Sequence, residues 1–132
     1  MSENVNYFIS KYINYEFADA EELMLQYLKD EGFGLIFKID VRETMKEKLQ
    51  VEFKNYHILG VCHPELAKKA LDAEDKIGIM MPCNVVIIEQ PQGYVEVAVV
   101  NTAIFTQLIN NEQLECFAND AKSKFRNALS RL

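Results

Sequence analysis

At 132 residues, 49% of them hydrophobic, the chain is long enough for one domain with its own core and too apolar to be disordered. A net charge of −6, with Lys46, Lys48, Lys68 and Lys69 dispersed among Glu43, Glu47, Asp72 and Glu74, excludes a binder of phosphate backbones, so no nucleic-acid partner is expected. No apolar run approaches the roughly 20 residues of a membrane helix, and the polar start Ser2-Glu3-Asn4 lacks a leader pattern, so a cytoplasmic protein away from the membrane is expected.

Val5 to Tyr15 is rich in β-branched and aromatic residues and reads as the first strand. Asp19 offers a cap for the helix that follows, Glu21 and Glu22 suit its positive end, and Met24 and Leu28 belong to its apolar face. Gly32 ends that helix. Phe33 to Ile39 is the second strand, and the strand-helix-strand order makes a crossover unit if the two strands are parallel. Asp40, with Glu43 three residues on, opens a second helix whose Val41, Met45 and Leu49 are spaced to pack; it ends near Gln50.

Tyr56 to Val61 is the third strand. Pro64 suits a first helical position, which makes His63 the N-cap and leaves Cys62 just ahead of the third helix. Leu66, Ala67, Ala70 and Leu71 form the buried stripe of that helix. The chain then turns through Asp75 to Gly78, and Pro82-Cys83 opens a fourth strand, Asn84 to Glu89. Pro91-Gln92-Gly93 joins it to a fifth, Tyr94 to Val100, as a hairpin. Two helices close the chain, Ala103 to Ile109 and Glu112 to Leu132, the second with Leu114, Phe117, Ala121, Phe125, Ala128 and Leu132 on one face. The order β-α-β-α-β-α-β-β-α-α describes an α+β fold with helices packed on a mixed, roughly five-stranded sheet.

Three cysteines without an export signal read as reduced thiols rather than a disulfide framework. Cys62 is the candidate nucleophile, because a thiol ahead of a helix N-terminus feels the positive end of the dipole. The bland alternative is an inert core cysteine. Cys83 approaches it if the third and fourth strands are neighbours. Two thiols with His57 or His63 match no zinc spacing, so no metal is expected. His63 is read as a cap before a ligand, His57 as facing solvent or making one structural hydrogen bond, and Cys116 as packing. Asn84 either orients a ligand or satisfies a strand end. Gly34 and Gly60 lie inside strands, where they permit close approach of a backbone or a ligand. No phosphate loop, nucleophile elbow or zinc-protease motif is present, and no cofactor is named.

Phe33-Gly34, Ile39-Asp40-Val41, Leu59-Gly60-Val61-Cys62 with Pro64, Gly78, and Pro82-Cys83-Asn84-Val85-Val86 together resemble the domain-of-unknown-function family 302 over about 32–100. Cys62, Pro64, Pro82, Cys83 and Asn84 match its motif positions, whereas His63 lies where the family often carries other residues. The resemblance implies a compact α+β domain, a homodimer and no established activity.

Three functions follow as expectations. The first is a homodimeric binding module with a thiol-lined pocket at Cys62, His63, Pro64, Cys83 and Asn84, taking a small molecule or an anion at the helix N-terminus. The second is a thiol redox or sulfur-transfer enzyme in which Cys62 attacks and Cys83 resolves. The third is a structural or interaction domain.

Overall fold

The computed structural model of the protein describes residues 6–132, so the expected start of strand one at Val5 and the reading of Ser2-Glu3-Asn4 lie outside the described residues. The elements are β1 (Phe8–Ile13), α1 (Phe17–Asp30), β2 (Gly34–Asp40), α2 (Val41–Leu49), β3 (Tyr56–Cys62), α3 (Pro64–Ala73), β4 (Cys83–Glu89), β5 (Val95–Val100), α4 (Ala103–Leu108) and α5 (Leu114–Ser130). A 3-10 turn, Asp75–Met80, bridges α3 and β4. The α+β class and the element order are those read from the residues.

The strands lie in the order β1-β5-β4-β3-β2, and each neighbouring pair is antiparallel. That pairing is simpler than the mixed sheet expected. β1 and β2 point the same way but stand at opposite edges, so α1 carries the chain across the sheet without making a parallel pair. Period-two alternation then gives the sheet two unlike faces. Leu59, Val61, Val85, Ile87, Val97 and Val99 are buried under the helices with Met24, Leu28, Leu114 and Phe125. Phe8, Tyr12, Glu96, Ala98, Val86, Ile88, Tyr56 and Ile58 lie on the other face by register.

Local signals account for most boundaries. Gly32, at φ 95°, ends α1: its N–H donates to the Lys29 carbonyl (2.9 Å) and the Phe33 N–H to that of Leu28 (2.9 Å). Asp40 caps α2 by accepting from the Glu43 N–H at 3.0 Å. The hairpin after β4 turns at Gly93, φ 96°. Three expectations are corrected. α1 begins at Phe17, with Glu16 as N-cap through its backbone carbonyl, so Asp19 lies in the first turn and caps nothing. None of Val41, Met45 and Leu49 is buried: the first two are half-buried against the β2–β3 edge and Leu49 is 61% exposed, because no further layer lies over α2. Leu71 is exposed too, the buried residues of α3 being Leu66 and Ala70.

Candidate functional site

Where β3 and β4 meet α3 and α5, the core is not completely filled. Val61 and Cys83 sit opposite each other in the sheet, and Cys62 follows Val61 at the strand end. A cleft of about 250 Å³ opens above them. Its floor is Val61, Cys62 and Cys83, with Met81 and Pro82 leading into β4. Leu66 and Ala67 of α3 form one wall, Phe117 and Ala121 of α5 another, and Phe33, Ile36 and His63 the third. Almost all of this surface is carbon or sulfur; the His63 imidazole is its one conventional polar group.

The sequence explains each wall. His63 caps α3 as expected: its Nδ1 accepts from the Leu66 N–H at 3.3 Å, so that ring keeps its proton on Nε2. Gly32 makes room for it, because a methyl group there would lie 2.7 Å from the imidazole. Phe33 meets the edge of the His63 ring (5.5 Å between centroids) and stacks on Phe125 of α5 (4.4 Å, 18°). Ile36 is the extra residue where β2 slips register against β3 between Leu35 and Phe37, and this bulge turns its side chain to the cleft.

Of the residues singled out from the sequence, Cys62, His63 and Cys83 line this cleft, and Pro64 starts the helix beside it. Asn84 does not join them. Strand alternation turns it to the opposite face, where it is exposed across from Gly60. Gly60 does permit a close approach, but by the chain's own Phe37 ring, 2.5 Å from where a methyl group would stand. The helix N-terminus is mostly spent: Pro64 has no N–H and that of Leu66 already serves His63, so little is left for an anion.

The thiols differ. Burial, with Cys62 nearby, pushes the Cys83 thiol up to about 12, which leaves roughly one thiolate in 10⁵ at neutral pH. Cys62 is half-buried, and Cys116 is exposed on α5, 3.8 Å from the Asp120 carboxylate, not packed as expected. Iodoacetamide followed by peptide mass mapping is therefore expected to label Cys116 first, Cys62 more slowly and Cys83 only on unfolding. Labelling of Cys62 ahead of Cys116 would instead mark an activated thiol.

His57 is better held than its sequence context suggested. Its Nδ1 donates to Glu21 of α1, its Nε2 lies 3.5 Å from Asp40, and its ring edge meets Phe17 at 4.8 Å. Lys38 reaches the other oxygen of Glu21 at 2.9 Å. Glu21 was read only as a first-turn carboxylate, and nothing in the spacing of residues 21, 40 and 57 signals their meeting. Among the described residues, no group of three or more His, Cys, Asp or Glu side chains is placed to hold a metal ion.

A family model described as a domain of unknown function, DUF302, matches residues 9–132, well beyond the stretch that first suggested the resemblance. One solved structure similar to the chain is titled an uncharacterized conserved DUF302 protein from Bacillus stearothermophilus. It is 23% identical over 96% of this chain and 98% of that one, with a TM-score of 0.89, and so bears on the fold alone. No curated protein matches the chain.

Proposed function

The chain belongs to the DUF302 family, and on that footing we propose that it is a homodimeric module binding a small apolar molecule in the cleft between α3, α5 and the ends of β3 and β4. The observation that carries this reading is the carbon-and-sulfur lining of an open cleft of about 250 Å³ that reaches down to the buried Val61 and Cys83. An apolar space of about 150 Å³ is already enough to take up benzene. A larger groove of about 1040 Å³ runs along α1, but its lining mixes Tyr15, Leu23 and Leu25 with Glu16, Asp19, Glu22, Lys29 and Glu89, so an apolar molecule there would lie against charged groups that the cleft lacks. The spent N-terminus of α3 favours a neutral ligand over the anion also expected.

The thiols act in this reading as soft contacts to the ligand. The redox alternative is the weaker one, because a resolving thiol must ionise to attack and Cys83 is held protonated. For the dimer, the support is the edge strand β2, whose Leu35, Ile36 and Ile39 are 47%, 62% and 42% exposed beside unpaired backbone. A cytoplasmic setting goes with three free thiols. On the membrane, the structure says only that no helix among the described residues is long and apolar enough to cross one.

The test is calorimetric titration of indole against the wild type and Ala121→Phe, whose ring would fill the cleft. The wild type is expected to bind and the folded variant not. Equal heats from the two, or none from the wild type, would remove the proposal.

A further inference from the structure

The helix-free face of the sheet holds a second feature, remote from the cleft. Register places Tyr12, Glu96, Ile88 and Tyr56 in one row across β1, β5, β4 and β3. Glu96 is only 9% exposed, an unusual position for a carboxylate. Its Oε1 accepts from Gln90 Nε2 at 2.7 Å. Among the described residues it forms no ion pair with Lys, Arg or His. The Tyr12 side chain hydrogen-bonds to it as well, so both partners of this carboxylate are neutral and, among the described residues, no cation faces it.

Aromatic rings surround it. Tyr12 and Tyr94 meet edge to face at 5.0 Å, and Tyr56 stands at the far end of the row. The Glu96 charge, more than burial, Tyr94 or the hydrogen bond to Glu96, raises the Tyr12 phenol above its ordinary value. Burial chiefly, then Tyr7 and Glu96, does the same to Tyr56. Tyr12 and Tyr56 therefore stay neutral and present electron-rich faces. In the next row Ala98, Val86 and Ile58 extend an apolar shelf.

We infer that Glu96 and its tyrosines form a site for an organic cation, an alkylammonium or guanidinium head with a short apolar tail. The head pairs with the Glu96 carboxylate against the rings of Tyr12, Tyr94 and Tyr56, where cation–π attraction adds to the ion pair. The tail lies over Ile88 and Val86. Tyr12 is 60% exposed on an edge strand, so its ring swings aside to admit the head. This inference does not rest on the cleft, which opens on the opposite face.

The test is a titration of hexylammonium followed by NMR shifts of the tyrosine rings, with 1-hexanol as the neutral control. Glu96→Gln keeps the shape and removes the charge, and is expected to fold at least as stably as the wild type. Binding is expected to weaken at least about tenfold in Glu96→Gln, and 1-hexanol to bind the wild type at least about tenfold less well. Tyr12→Leu, at an exposed position, is expected to weaken binding without harming the fold, and Ala121→Phe to leave it unchanged. An arm with acetyl-arginine-methylamide separates a peptide side chain from a free amine as the source of the cation. Binding in either arm with dependence on Glu96 upholds the site. No binding in both arms, or equal binding by Glu96→Gln or 1-hexanol, overturns it.

Discussion

Replacing Phe125 with Ala is expected to cost about 3–5 kcal/mol of folding stability, the range for a buried aromatic whose cavity only partly collapses. Phe125 is fully buried on α5 and stacks on Phe33, which in turn supports the ring of His63 at the start of α3. The three rings tie the last helix to the end of β3, so the loss is not confined to one contact. Against a total stability of about 5–15 kcal/mol for a domain, this is a large share. Urea unfolding measures it. Because Phe33 is also a wall of the cleft, ligand binding should fall with stability in Phe125→Ala, whereas Phe125→Leu should retain most of both. A loss below about 1 kcal/mol for Phe125→Ala would mean that the stack is not what holds α5 in place.

The second large effect is expected at His57. Glu21 is a nearly buried carboxylate whose burial alone would raise it, yet Lys38 and His57 together outweigh that and hold it below the usual range. Asp40 is lowered first by the Glu43 backbone N–H, then, against some burial, by His57 and Lys38. His57 reaches both carboxylates, its Nδ1 bonded to Glu21 and its Nε2 3.5 Å from Asp40. His57→Ala removes that bridge between β3, α1 and the start of α2, and should cost about 1–3 kcal/mol at neutral pH.

The pH dependence follows with a definite sign. Carboxylates lowered in the folded state contribute stability that is complete above their unfolded values, about 4.3 for Glu and 3.9 for Asp, and that is lost as pH falls through the lowered folded values. Wild-type stability should therefore hold from neutral pH to about 5 and decline below that. In His57→Ala part of the lowering is gone, so its curve should lie below the wild type at pH 7 and converge with it in acid. Chemical denaturation at several pH values provides the comparison. Parallel curves, offset by a constant amount, would show that His57 contributes packing alone.

Much of the fold was legible because its signals are local. Gly32, Asp40, His63 before Pro64, and the turn at Gly93 each act within a few residues, and each does what its chemistry requires. The apolar stripe of α5 was readable for the same reason, since Leu114, Phe117, Ala121 and Phe125 repeat at helical spacing. Where packing depends on a remote partner, the reading failed. Val41, Met45 and Leu49 have the same spacing as a buried stripe, but nothing in the fold covers α2.

The site divides along the same line. That Cys62, His63 and Cys83 share one cleft was readable because strand ends and a helix start meet there. Asn84 was misplaced because one residue along a strand reverses the face. Phe33, Ile36, Phe117 and Ala121 complete the cleft from elements far apart in the chain. The stripe of α5 placed Phe117 and Ala121 in the core without saying that a void lay against them. The bulge that turns Ile36 leaves no mark in the local sequence, and the meeting of Glu21, Asp40 and His57 is likewise a product of strand register and helix placement.

The most direct measurement is a crystal structure of the protein soaked with 4-iodotoluene, whose iodine is located by its anomalous signal. The proposal predicts one iodine between Cys62, Cys83, Ala67 and Ala121 in the wild type and none there in Ala121→Phe. Iodine only at other surfaces, or the same site occupied in both proteins, would contradict a binding function for this cleft.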